Sequence, residues 1–254
     1  TWGEALRPET RMIYVEAITN PLVQVADLEA VVRFAREHHL LSVIDNTFAS
    51  PVNFRPAEIG FDLSLHSGTK YLNGHSDIVC GVVIGRTEPV AGVKKMMSFL
   101  GGSLDAHACF LLHRGLKTLG VRVRQQNESA LALASFLEAH SAVSRVNYPG
   151  LPSNSGHDRA TRLFDGFGGM MSFELAGGEV AAKRFEAAVT IPIVAPSLGG
   201  VESLITRPAA TSHAGLTPEE RAVVGVSDGL IRVSVGIEGT QDLMADFEAA
   251  LAAI

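Results

Sequence analysis

Short apolar runs alternate along this chain with longer segments of helical period. Residues 11–18, which hold Ile13, Tyr14 and Val15, predict a strand, and Pro21 follows it. From residue 27 to about residue 39, Leu28, Val31, Val32, Phe34 and Ala35 recur on one face of a helix. Residues 41–44, 63–66 and 77–84 are apolar runs too short for buried helices, and they predict three more strands. Residues 51–60 read as a connection with a short helical piece. Strands alternating with helices predict an α/β architecture built on a mostly parallel, doubly wound sheet.

The pattern changes in the second half. Residues 111–140 predict one long helix, bent near Gly120, with residues 131–137 its clearest amphipathic part. Strands follow at 143–148 and 170–175, then a helix at 179–189. A glycine-bearing loop at 197–204 leads into another strand. Residues 230–236 predict a strand that carries one arginine, Arg232, among apolar neighbours, and a helix over 240–253 ends the chain. This divides the molecule into residues 1–125, part of a large domain, and residues 126–254, a smaller C-terminal α/β domain.

Composition narrows the function classes. An apolar content of 46% in 254 residues supports a well-buried core, and with only 6% aromatics the core must be aliphatic. A net charge of -6 disfavours a nucleic-acid partner. No apolar run is long enough to span a bilayer, which makes a cytoplasmic protein the default. The two cysteines, Cys80 and Cys109, predict buried thiols in a reducing compartment. His66, His75 and Cys80 do not have a usual zinc spacing, so no metal site is expected.

The chemistry concentrates where the predicted strands end. The run before residue 45 closes on Asp45, and the next closes on Ser67-Gly-Thr69-Lys70. In doubly wound sheets ligands bind beyond the carboxyl ends of the strands, where Asn20, Asp45 and Lys70 fall. A loop lysine, a strand-end carboxylate and two hydroxyls make a constellation suited to pyridoxal 5'-phosphate. Lys70 would form the Schiff base, Asp45 would keep the pyridinium protonated, and Ser67 and Thr69 would take phosphate oxygens. Burial beside a cationic ring would lower the proton affinity of Lys70. Arg232 stands between two readings, a surface ion pair and a planar fork for a substrate carboxylate.

Over essentially its whole length the sequence resembles the trans-sulfuration, or Cys/Met-metabolism, family of pyridoxal-phosphate enzymes. The resemblance runs through Thr19-Asn20-Pro21, Val43-Ile-Asp45-Asn-Thr-Phe48, Ser67-Gly-Thr-Lys70-Tyr-Leu-Asn-Gly-His-Ser-Asp77, Arg114-Gly-Leu-Lys-Thr118, Ser197-Leu-Gly-Gly200 with Glu202-Ser-Leu204, Ser212-His-Ala214 and Leu230-Ile-Arg232-Val-Ser-Val-Gly236. It implies the fold-type I architecture and Lys70 as cofactor lysine and general base. It places Asn20 near the ring hydroxyl and the substrate carboxylate, and has Arg232 clamp that carboxylate with help from Ser197. It implies a sulfur amino-acid substrate and a homotetramer built as a dimer of dimers. The implied reaction is β- or γ-elimination or γ-replacement, as in cystathionine γ-synthase, the cystathionine lyases, methionine γ-lyase or O-acetylhomoserine sulfhydrylase. An aminotransferase of the same fold type and a catalytically incomplete fragment are the alternatives. Two departures stand out. Family members carry roughly 120 to 140 residues before the position of Thr1, so the N-terminal part of the large domain is expected to be missing. Pro196 stands where many cystathionine γ-lyases have glutamate.

Overall fold

The structure, a computed structural model, describes residues 1–254. Two sheets organise it. The first has the order β1-β2-β3-β4, from β1 (Met12–Glu16), β2 (Leu41–Asp45), β3 (Leu63–Ser67) and β4 (Gly81–Gly85). β1, β2 and β3 are parallel, and β4 runs antiparallel to β3. A short α1 (Trp2–Ala5) precedes β1, and α2 (Leu28–Glu37) crosses from β1 to β2. Asp27 caps α2 by accepting from the Ala30 amide at 3.0 Å, and the helix buries Leu28, Val31, Val32 and Ala35. α3 (Ser50–Asn53) links β2 to β3.

Beyond β4 come α4 (Thr87–Leu100), α5 (Ala106–Leu116) and α6 (Leu119–Ala139). The second sheet has the order β5-β6-β9-β8-β7, from β5 (Val143–Asn147), β6 (Met170–Leu175), β7 (Ile193–Val194), β8 (Leu204–Thr206) and β9 (Leu230–Ser234). It is antiparallel except where β7 meets β8. α7 (His157–Leu163) lies between β5 and β6, α8 (Gly178–Ala188) follows β6, α9 (Pro218–Val223) precedes β9, and α10 (Thr240–Leu251) follows β9.

α6 serves both cores. Leu119 and Val123 pack in the cluster with Ile44, Phe54, Tyr71 and Leu198. Ala130, Leu133, Ala134 and Leu137 pack in the cluster of the second sheet. There Phe173 meets Phe185 edge-on at 5.4 Å between centroids, and Phe185 meets Phe247 at the same separation. As expected, aliphatic and alanine side chains fill most of this core, and Tyr148, Phe173, Phe185 and Phe247 are the four aromatics among its 20 buried residues.

Three local expectations are corrected. The single helix over 111–140 is two helices, broken at Lys117 and Thr118, and Gly120 lies in the first turn of α6. The break follows from packing: a side chain at Gly115 would collide with the Asn73 backbone, and the Thr118 hydroxyl donates back to the Gly115 carbonyl at 3.2 Å. The strand over 77–84 begins only at Gly81, because the Cys80 amide is taken by Thr69 Oγ1 at 3.0 Å rather than by a neighbouring strand. Cys109 is exposed and Cys80 partly so, because α5 buries only Gly115.

Candidate active site

The carboxyl ends of β2 and β3 lie side by side, with Asp45 in register with Leu65. That pairing sets Asp45 beside the turn that starts at Ser67. The turn is closed by its own backbone: the Lys70 amide donates to Ser67 O at 3.1 Å and the Gly74 amide to Lys70 O at 2.7 Å. Gly74 has φ +76°, and a side chain there would overlap the Arg122 guanidinium. Arg122, reaching from α6, is 3% exposed. It donates to the carbonyls of Tyr71 at 2.8 Å and Gly115 at 2.9 Å, and to Thr118 Oγ1 at 3.0 Å. The backbone that follows Lys70 is therefore fixed from the interior.

A cleft of about 130 Å³ opens at this point, lined by Glu16, Ile18, Asn20, Asp45, Thr47, Phe48, Ser67, Lys70 and Leu198. Four of the residues singled out in the sequence, Asn20, Asp45, Ser67 and Lys70, share it. Asp45 makes no ion pair. Its Oδ1 accepts from the Thr47 amide at 2.9 Å and its Oδ2 from the Tyr14 hydroxyl at 3.3 Å. The Ser67 amide donates to Thr47 Oγ1 at 2.8 Å, which leaves the Ser67 hydroxyl to the cleft. Lys70 Nζ donates to Ser197 Oγ at 2.8 Å. Burial, and then the Arg232 cation, push the proton affinity of Lys70 below that of an ordinary lysine.

Arg232 on β9 sits at the edge of this group, 4% exposed and without a carboxylate partner. It donates to Asn20 Oδ1 at 3.1 Å, Pro196 O at 2.6 Å and Ser197 O at 3.1 Å. Of its two earlier readings, the surface ion pair is excluded by this burial. Ser197 and Arg232 do not line the cleft themselves but bond to Lys70 and Asn20, which do, whereas Thr69 bonds to neither. Thr69 does not line the cleft, and its hydroxyl exchanges hydrogen bonds with the backbone of Cys80.

Sequence reasoning passed over Glu16 and Tyr14. Glu16 pairs in register with Asp45, and its carboxyl is raised above the usual range by burial and by Asp45. Tyr14 is pushed up to about 12 by burial and by Asp45. Both share a face of β1, so the strand's period of two, extended to Asp45, was the available signal. His66 is buried beside Ser64, and burial lowers it to about 4, so it is neutral near pH 7.

The donor set fits pyridoxal phosphate. A carboxylate with no cation, a lysine whose proton affinity is lowered by burial and by Arg232, and a free hydroxyl face one cleft, and a buried guanidinium without an anion lies beside it.

Comparison with known proteins gives the same picture. The family of Cys/Met metabolism PLP-dependent enzymes matches residues 1–252. The chain is 44% identical over 248 residues to cystathionine gamma-synthase of Escherichia coli K12, covering 96% of this chain and 64% of that protein. It is 44% identical over 250 residues to cystathionine beta-lyase of Coxiella burnetii, covering 98% and 65%. The crystal structure of cystathionine gamma synthase from Xanthomonas oryzae pv. oryzae, in complex with aminoacrylate and cysteine, superposes with a TM-score of 0.95 at 44% identity, covering 99% of this chain and 65% of that one. The chain thus spans less than two thirds of the length of these relatives. It belongs to the Cys/Met metabolism family of PLP-dependent enzymes and has their α/β fold.

Proposed function

From that membership, we propose that the protein eliminates or replaces a group at Cβ or Cγ of a sulfur amino acid. A synthase and a β-lyase are equally similar at 44% identity, so the proposal stops at the chemistry that these reactions share. The observation that carries it is the shared cleft of Lys70, Asp45, Ser67 and Asn20 beside Arg232.

The residues divide the work as follows. Lys70 would hold the cofactor until the substrate amine displaces it, and the freed, uncharged Nζ would take the proton from the substrate Cα and return it further along the substrate. The Ser197 hydroxyl fixes Nζ in position, at 2.8 Å. Asp45 would keep a proton on the ring nitrogen and Ser67 would receive the phosphate, while Thr69, its hydroxyl held by the Cys80 backbone, shapes the turn. Asn20 and Arg232 orient the substrate carboxylate, for which the guanidinium offers a planar fork. Bound pyridoxal phosphate supplies the electron sink for charge developing at Cα.

A division near residue 125, a cytoplasmic location and a homotetrameric assembly complete the reading. The division falls within α6, whose two ends enter different cores. No helix is long and apolar enough to cross a membrane. The test is absorbance with added pyridoxal phosphate, before and after L-cystathionine, with thiol and 2-oxo acid assayed. A band near ~420 nm that changes on adding substrate, with either product, supports the proposal. Amino-group transfer to a 2-oxo acid without thiol release would replace it with an aminotransferase.

A further inference from the structure

Two segments far apart in sequence meet over Lys70. One is the turn of residues 67–77, and the other is the loop of residues 197–203 that brings Ser197 to Nζ. The loop is pinned at several points. The Gly199 amide donates to Ser234 Oγ at 2.8 Å, Gln126 Nε2 to Gly200 O at 2.8 Å, and the Val201 amide to Gly74 O at 2.9 Å. Gly199 has φ +74°, and a side chain there would meet the Tyr71 amide at 2.8 Å. These contacts use backbone or buried interior groups.

The last contact differs in kind. The Ser76 hydroxyl donates to the Glu202 carboxylate. With Lys70–Ser197, it is one of only two side-chain hydrogen bonds joining the two segments. Ser76 is exposed and adopts φ +56°, a left-handed conformation that costs a residue with a side chain about 1 kcal/mol or more. The neighbouring ionisable groups are engaged elsewhere: Asp77 accepts from Asn73 Nδ2 at 2.7 Å, His75 Nδ1 lies 2.7 Å from Asn73 O, and Glu238 holds Ser203.

We infer that Ser76 and Glu202 form a latch between the two sheets, which holds the 197–203 loop closed over Lys70 and makes both of them positioning residues. The inference rests on Lys70 being the cofactor lysine. Opening the latch loosens the outer side of the loop and lets water approach Nζ past Ser197, while the Gly199, Gly200 and Val201 contacts keep the loop backbone in place. The charged groups around Nζ, Arg232 from β9 with Asp45 and Glu16 across the cleft, stay where they are. Burial is the largest cause of the lowered proton affinity of Lys70, so hydration returns it toward that of an ordinary lysine.

The test uses the whole protein with pyridoxal phosphate and borohydride. Trapped cofactor on the Lys70 peptide is measured by mass spectrometry across pH. Ser76→Ala, Glu202→Ala and the double variant should move the midpoint upward by the same amount, cutting trapping near neutral pH by about tenfold for each pH unit moved. Glu202→Gln, whose amide oxygen still accepts from Ser76, should keep the parent profile. Coincident profiles for parent and alanine variants, or additive shifts in the double variant, would overturn the latch. Should Glu202→Ala fail to fold, exposed Ser76→Ala carries the comparison alone. A parent protein that is not modified at Lys70 overturns the site assignment itself, which is a separate result.

Discussion

Two arginines in this molecule are equally buried and equally short of a carboxylate, yet they sit in different surroundings. Arg122 is 3% exposed and Arg232 4%. Arg122 spends its donors on backbone carbonyls of the Lys70 turn and α5 and on Thr118. Its guanidinium does not line the cleft of Lys70. Arg232 makes three hydrogen bonds, two of them to the carbonyls of Pro196 and Ser197 in a loop at the cleft. Burying a cation is costly unless its donors are satisfied. The first arginine is satisfied by the fold, and the second is the one we propose an anionic ligand completes. Burial alone would not have told them apart, and the difference lies in what remains for each fork to bind.

The largest way to break the comparison is Arg122→Met. It leaves several buried carbonyls without a donor, and a loss of about 3–5 kcal/mol is expected in urea unfolding. Arg122→Lys should recover little, because an ammonium cannot reproduce the fork.

His66 sharpens the contrast, as a buried base that can shed its proton. Its folded value of about 4 lies below the ordinary 6.5. The unfolded chain therefore binds more protons between those values, and stability falls as pH drops from 6.5 toward 4. The full loss is about 3 kcal/mol. His66→Gln should flatten that limb in a denaturation series across pH.

Arg232→Met should change unfolding free energy by less than about 1 kcal/mol, since water can reach the carbonyl of exposed Pro196. It should nevertheless lower kcat/KM about a hundredfold, near 2.7 kcal/mol. Equal destabilisation by Arg122→Met and Arg232→Met would dissolve the distinction. The smallest expected effect is that of Tyr14→Phe. Losing its 3.3 Å bond to Asp45 should cost about 0.5–1 kcal/mol in cofactor affinity, read by equilibrium titration.

How legible the molecule is in its sequence follows from the same physics. β2 and β3 end at Asp45 and Ser67, where apolar runs give way to polar residues, so strand ends and chemistry were read together. Arg232 was visible as a cost among apolar neighbours, but its satisfaction by Asn20 and the Pro196 carbonyl spans sequence distances that no local pattern carries. The break between α5 and α6 was missed because it comes from Gly115 packing on the Asn73 backbone, a tertiary contact in an otherwise helical stretch. Thr69 looked equivalent to Ser67 by spacing, yet its hydroxyl is drawn to the chain end of the incoming strand at Cys80. Glu16 and Tyr14 stayed silent because their relation to Asp45 is one of strand register.

The most direct measurement is to map the attachment of pyridoxal phosphate across all five lysines by reductive trapping near neutral pH and peptide mass spectrometry. Lys94, Lys95, Lys117 and Lys183 are exposed, and only Lys70 combines partial burial with a lowered proton affinity. The cofactor should appear on Lys70 alone and vanish in Lys70→Ala. Labelling spread over the exposed lysines, or unchanged by Lys70→Ala, would contradict the account.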